Sequence, residues 1–300
     1  MIHFLKYRWL ATAFSVVIFS TFIGTYVYKY YTRDGVTFNY NVDFTGGIQV
    51  LLGFSKPVTG NTLITILDKK GWSGAVTREF SPTEHVVRVK KETADVSGEA
   101  ESMRNALQSE LEDTQITIKS TDSLSGSMGK KLRNNSLYAV IISLLLMLLY
   151  IALRFRSFSY AMGAVVSLFH DAVVILAIFL LFDKEISINV IGAILAVLGY
   201  SINDTIVIFA RIRDNAKRLP TMPMEEVIDI SINETLSRTM LTTFATTLVV
   251  AALFLFGGET LRDLSLALLI GIVFGIYSTI YIATPVVLWL YKDDNRVPAR

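Results

Sequence analysis

Cysteine is absent from all 300 residues, which excludes disulfides and thiolate metal sites whichever compartment the chain faces. Histidine is scarce: His3, His85 and His170 lie far apart, and no spacing among them suits zinc. No Gly-x-x-x-x-Gly-Lys-[Ser/Thr] stretch is present, so the sequence offers no P-loop for ATP and implies no bound cofactor. No nucleophile and base stand in a catalytic pattern, and the chain does not read as an enzyme. Charge is sparse too. Asp, Glu, Lys and Arg make up 18% of the residues and nearly cancel, leaving +2 at pH 7, which gives no footprint for a nucleic-acid partner.

What the chain has in quantity is apolar length. Hydrophobic residues make up 52% of it and the mean hydropathy is +0.48, values rare for a soluble domain of this size. A membrane-crossing helix needs about 20 mostly apolar residues, and six segments qualify, at about 10–31, 136–153, 160–182, 188–210, 236–256 and 264–290. The first is too long for a signal peptide and no small-residue cleavage pattern follows it, so it reads as a retained anchor. The expected fold is a polytopic α-helical membrane protein with six transmembrane helices.

Short-loop basic residues orient it. Lys6 and Arg8 precede the first span; Arg154 and Arg156 follow the second; Arg211, Arg213, Lys217 and Arg218 follow the fourth; Lys292, Arg296 and Arg300 close the chain. All fall on one side, whereas the opposite short loops carry only Lys184 and Arg262 among Asp183, Glu185, Glu259 and Asp263. The positive-inside rule then places both termini in the cytoplasm and the long second segment outside. The expected division is 1–31 for the N-terminus and first helix, 32–133 for an external domain, 134–291 for helices two to six, and 292–300 for a cytoplasmic tail.

The external segment is punctuated like a folded domain. Phe38 to Phe54 reads as a long strand with a bend or bulge at Gly46-Gly47. Thr62 to Lys70 carries Leu63, Ile66 and Leu67 at helical spacing, with Gly71 as a stop. Val76 to Phe80 and His85 to Lys90 read as two strands joined through Ser81-Pro82-Thr83, Ser97 opens a polar helix, and Gln115 to Ser120 alternates as a last strand. Strand, helix, strand, strand, helix, strand is the ferredoxin-like (βαββαβ) order.

Within the spans Asp204 stands out, an ionisable residue in the apolar run from Ile188 to Phe209, about two turns from the arginine cluster. A carboxylate held between the cost of burial and the pull of a cation can take up and release a proton, or can pair permanently and only fix packing. Arg238, near the expected start of the fifth span, is its candidate partner, or else a snorkelling interfacial arginine. His170 and Asp171, near the centre of the third span, could extend a proton wire or bond a neighbouring helix. Asn203, Thr205 and Thr242 could order water, though ordinary interhelical hydrogen bonding accounts for them. Gly192, Ala196, Gly199 and Asn203 share one helical face, and Gly271, Gly275 and Thr279 another, the spacing at which helices pack closely. Pro285 and the Gly257-Gly258 pair mark local bends.

From Asn41-Val42-Asp43-Phe44-Thr45-Gly46-Gly47 onward the chain resembles a known family. Gly199-Tyr200-Ser201-Ile202-Asn203-Asp204-Thr205-Ile206-Val207-Ile208-Phe209 with Arg211-Ile212-Arg213, then Asn233, Leu236-Ser237-Arg238-Thr239 and Phe254-Leu255-Phe256-Gly257-Gly258, are similar to the SecD/SecF family of bacterial protein-export membrane proteins, within the resistance-nodulation-division superfamily. The resemblance spans nearly the whole chain. Where many members carry an acidic residue before the arginine, this chain has Ala210. The resemblance implies an inner-membrane protein with a periplasmic domain, and with SecD, the SecYEG translocon and YajC as partners. It also implies proton (or sodium) flow involving Asp204 and Arg238, coupled to late translocation and release of unfolded polypeptide. Asp43, Gly46 and Gly47 read as a bend at the root of the external domain. Two other readings are a half-unit of a small-molecule or lipid exporter of the same superfamily and a non-transporting translocon scaffold.

Overall fold

The structure, a computed structural model, describes residues 2–33, 35–89, 91, 95–124 and 126–291. The expected tail 292–300, with Lys292, Arg296 and Arg300, lies outside the described residues. Among the described residues, six helices are long and apolar enough to cross a membrane. The first, α1 (Arg8–Thr32), follows a 3-10 turn at Leu5–Tyr7 and leads into an α+β unit. The others are α5 (Gly126–Phe155), α6 (Phe158–Leu181), α7 (Ile188–Arg218), α8 (Met224–Phe256) and α9 (Gly258–Ser278), the last continuing through a π-helical turn at Thr279–Ala283 into α10 (Thr284–Tyr291). Pro285 lacks a backbone donor and crowds the turn before it, and the widened π turn lies there.

The helices α6 and α7 form the centre of the bundle, with Leu168, Ile175, Phe179 and Phe209 fully buried. By contrast α1, α5 and α8 leave most of their apolar surface outward, which lipid or a partner must cover. Two glycines set close approaches. A Cβ at Gly163 would stand 2.8 Å from the Ala283 carbonyl, and one at Gly271 would stand 2.3 Å from Val197 Cγ2.

The α+β unit runs β1 (Asn39–Tyr40), α2 (Val42–Thr45), β2 (Gly47–Phe54), α3 (Gly60–Lys69), β3 (Val76–Ser81), β4 (Glu84–Val89), α4 (Val96–Gln108) and β5 (Ile116–Leu124). Its sheet has the order β3-β4-β2-β5, antiparallel throughout. Leu63 and Leu67 of α3 and Met103 and Leu107 of α4 share one core with Ile48, Val50, Leu52 and Val87 of the sheet.

Two expectations are corrected. Phe38 to Phe54 is not one bent strand: Asn41 caps the short helix α2, and Gly46 (φ 73°) and Gly47 (φ 124°) then turn the chain into β2. The separated β1 pairs in parallel with β6 (Glu185–Ile186), which lies between α6 and α7. Ser97 does not open α4 either. The Asp95 carboxylate accepts from the Gly98 amide at 2.8 Å and starts the helix at Val96, since a carboxylate is the stronger acceptor for orphan amides.

Side chains fasten the unit to the bundle. Arg78 donates to Asp263 at 2.9 Å and lies 3.6 Å from Glu185, while Arg88 pairs with Glu185 and donates to Gln49 at 2.8 Å. Lys29 and Arg33, at the end of α1, both reach Asp183 at 2.8 Å. The root turn fits under α5, where a Cβ on Gly129 would lie 2.9 Å from the Phe44 carbonyl.

Candidate ion-coupling site

Asp204 sits midway along α7 and is only 8% exposed. Among the described residues it makes no ion pair within 4.0 Å and no hydrogen bond. Arg238 acts on it electrostatically from α8. The pairing of the two helices sets their relative height: Arg211 donates to Glu234 at 2.6 Å, and Asn215 donates to Ser231 at 3.0 Å and to Glu234 at 2.6 Å. Seven residues further along both antiparallel helices, Asp204 stands level with Leu241 (211 − 7 and 234 + 7), with Thr242 beside it and Arg238 a turn closer to the Arg211 end. Arg238 therefore does not lie near the start of its helix, where the sequence placed it. The polar stretch from Met224 to Thr235 is helical as well, which puts Arg238 fourteen residues in, roughly 21 Å along the axis.

The weaker candidates separate into two groups. Thr205 is buried and its hydroxyl meets that of Thr279 at 2.9 Å, joining α7 to the π turn. His170 and Asp171 are buried one turn of α7 away from Asp204, at Ser201, whose hydroxyl donates to Asp171 at 2.8 Å. In contrast, Asn203, Arg238 and Thr242 are exposed, and the Thr242 hydroxyl donates to the Arg238 carbonyl of its own helix at 3.1 Å. Thr242 thus makes no interhelical bond among the described residues.

The two small-residue faces have different fates. Gly271 lies against Val197, Gly275 against Ser201 with a Cβ-to-Oγ distance of 3.2 Å, and Thr279 against Thr205, so α9 and its π turn seat on α7. Gly192 and Gly199, expected at a helix contact, meet no other helix among the described residues: a Cβ at either would meet nothing within 4 Å, and Ala196 and Asn203 beside them are exposed. The physical reason is that α9 and its π turn seat on the opposite side of α7, at Val197, Ser201 and Thr205. An uncovered small-residue face therefore runs along the same helix as Asp204.

Asp43 does more than mark a bend. Its carboxylate accepts from the Ile188 amide at 3.2 Å, capping the first turn of α7 from the α+β unit. Sequence reasoning passed over Thr239 and Thr243, one turn apart on the buried side of α8, whose hydroxyls have no hydrogen-bond partner among the described residues. It also passed over Ser15 and Tyr277, which meet each other at 2.9 Å. For Thr239 and Thr243 the available signal was a pair of hydroxyls one turn apart in an apolar run.

The arrangement holds a buried carboxylate under the electrostatic influence of an exposed cation on the neighbouring helix. The chain as a whole is similar to known proteins. Residues 104–293 fit the family model described as protein export membrane protein SecD/SecF, C-terminal. The chain is 40% identical over 258 residues to a protein translocase subunit SecF of Thermodesulfovibrio yellowstonii, covering 85% of each chain. It is 34% identical over 292 residues to that of Vibrio alginolyticus, covering 96% of this chain and 90% of the relative. Among solved structures it superposes on SecDF of Thermus thermophilus, described as a translocon-associated membrane protein, with a TM-score of 0.83 and 32% identity. That match covers 97% of this chain but only 39% of the larger SecDF chain. With more than half its length inside the family model and SecF-type relatives along nearly all of it, the chain belongs to the SecD/SecF family of protein-export membrane proteins.

Proposed function

We propose that this chain is an ion-driven auxiliary of Sec protein export, in which proton or sodium flow past Asp204 and Arg238 drives late translocation and release of unfolded polypeptide. The observation that carries the reading is Asp204 itself, a buried carboxylate inside a span with no hydrogen bond or ion pair among the described residues and with an exposed arginine acting on it. An ionised group in that setting is costly unless it binds a proton, an ion or a partner's charge. One charge falling through 100 mV yields about 2.3 kcal/mol, within the range of about 1–3 kcal/mol typical of coupling between sites.

SecD is the proposed partner. The uncovered Gly192, Ala196, Gly199 and Asn203 face offers a close-packing surface for another helix, and a solved relative carries both halves in one SecDF chain. The reading further takes SecYEG and YajC as neighbours in a bacterial inner membrane, with both termini in the cytoplasm. The α+β unit is taken as periplasmic and ferredoxin-like; its antiparallel order β3-β4-β2-β5 supports that class.

The test is export of a periplasmic reporter into inverted vesicles containing SecD, with and without an imposed ion gradient, comparing the native chain with Asp204→Asn. The expected outcome is loss of the gradient-dependent component with normal assembly. Unchanged gradient dependence would overturn the coupling role and favour a scaffold.

A further inference from the structure

We propose that His170 and Asp171 form a second proton-binding site, and that α1 reads its occupancy. The proposal deepens the ion-coupled reading above and rests on it for the source of protons. It comes from the direction of a hydrogen-bond chain. The Tyr277 hydroxyl donates to the Ala11 carbonyl at 2.6 Å, an atom that can only accept. Its oxygen is then left to accept from Ser15, 2.9 Å away. Ser15, having donated there, accepts from His170 Nε2 at 3.1 Å. In this arrangement Nε2 carries hydrogen.

The other side of the ring is unmet. His170 Nδ1 lies 3.8 Å from Asp171 Oδ1, and among the described residues neither atom has a hydrogen-bond partner. The second carboxylate oxygen, Oδ2, already accepts from Ser201 at 2.8 Å. If the imidazole is neutral with its hydrogen on Nε2, two lone pairs face each other in a site where His170 is 3% and Asp171 0% exposed. Burying two opposed acceptors is costly; one added proton converts them into a paired imidazolium and carboxylate, closed by a small ring rotation.

The surroundings leave this proton to the pair. From α1 the site receives Ser15 and the Phe19 ring, from α7 Ser201, and from α9 Tyr277 and Ser278. Tyr277 is a further titratable group facing it, with Tyr281 of the π turn behind Tyr277 at a ring-centroid distance of 5.5 Å; among the described residues no Lys or Arg pairs with Asp171. Asp204 stands one turn along α7 from Ser201.

Proton loss has a defined consequence. A neutral ring facing an ionised Asp171 is satisfied only with its hydrogen on Nδ1. Nε2 then becomes an acceptor, and the Ser15 hydroxyl must turn from Tyr277 to His170. The Tyr277 oxygen loses its donor, and the tie between α9 and α1 at Ser15 is broken. Since α1 runs directly into the α+β unit, the proton count at the pair is registered where that unit begins.

The test uses the full chain with its SecD partner in lipid, with histidine labelled by nitrogen-15 and solid-state resonance recorded between about pH 5 and pH 9, which brackets the ordinary imidazole value of about 6.5. The signal missing in His170→Gln identifies His170. The expected result is a doubly protonated ring at low pH passing to the Nδ1–H tautomer at high pH. That transition is lost in Asp171→Asn and kept in Asp204→Asn. A neutral Nε2–H ring across the whole range overturns the proposal, whatever export does. Ser15→Ala keeps the pair and removes its reader: the resonance transition should persist while gradient-dependent export drops, and undiminished export would refute the role of α1. If Asp204→Asn leaves gradient dependence intact, the ion-coupled reading fails instead, and the His170 spectrum reports that failure separately.

Discussion

Glycines at the same helical spacing should respond oppositely to one added methyl. At Gly271 a Cβ would stand 2.3 and 2.5 Å from the two γ carbons of Val197 and 2.9 Å from its Cβ. Carbon contacts settle at about 3.5–4.0 Å, so in Gly271→Ala the helix α9 must retreat from α7 by roughly 1.2–1.7 Å. Val197 is branched at Cβ and has no rotamer that clears the space. Overpacking of this kind costs about 1–3 kcal/mol, against which Ala returns at most about 1 kcal/mol of helix propensity. Gly199→Ala meets nothing within 4 Å and keeps the propensity gain. Thermal unfolding of the full chain in one detergent should therefore rank Gly199→Ala at or above the native chain, and Gly271→Ala below both. Adding Val197→Ala to Gly271→Ala should recover part of the loss. A Gly271→Ala chain that melts with the native protein would refute the close approach of α9 to α7. Gly199→Ala should show its defect elsewhere, in co-purification with SecD, because its methyl projects from the uncovered face.

Other perturbations test separate parts. His85 is fully buried, edge-on to Phe54 with ring centroids 5.6 Å apart, and both its ring nitrogens are unpartnered among the described residues; His85→Leu should stabilise the chain by about 1–3 kcal/mol, and an earlier melt would contradict that burial. Arg88 and Glu185 are 13% and 15% exposed, so a double-mutant cycle of Arg88→Ala and Glu185→Ala should show coupling of about 0.5–3 kcal/mol, and additive effects would dismiss the clamp between the unit and the bundle. Hydrogen bonds from Arg33 first, and then from Lys29, hold the Asp183 carboxyl below the usual carboxylate range. A depressed value in the folded state means that this tie contributes above the unfolded value of about 3.9 and is lost as pH falls through the folded one. Asp183→Asn should thus be less stable than the native chain at neutral pH and converge with it in acid; a constant gap would refute the tie.

The spans were legible because length and apolarity decide them without reference to any partner. The true start of α8 was not, because Met224 to Thr235 is rich in polar residues and its helix is held by distant groups, such as the Asp229 carboxylate accepting from the Leu5 amide at 3.0 Å. The helical turn at Val42–Thr45 did leave a signal, a capping Asn41 and a closing Gly46 five residues on, which the apolar residues around it masked. Asp204 announced itself as a lone carboxylate in an apolar run. Ser15 and Tyr277 did not, since hydroxyls are common in spans and their importance depends on a His170 lying 155 residues from one and 107 (277 − 170) from the other. The glycine faces show the same limit. Spacing tells which residues share a side of a helix, and only the fold tells whether another helix of the chain lies there.

The arrangement of α7 bears on the coupling proposed between Asp204 and the α+β unit. At one end its first amides are held by Ser187 and, across the chain, by Asp43 of the unit's root, while β1 and β6 pair alongside. At the other end Arg211, Asn215 and Arg218 all engage Glu234 of α8. Between these fastenings run 31 helical residues, roughly 46 Å, with Asp204 near the middle and α9 seated on one side through Gly271 and Gly275. A continuous helix held at both ends transmits a tilt or shift instead of absorbing it, so movement of α7 at Asp204 must be met at the root turn, at Glu234, or at both. A flexible loop in place of the Asp43 cap would have let the unit drift free of the bundle. A carboxylate on the first turn of the helix that carries the buried aspartate makes the position of the unit depend on the position of that helix.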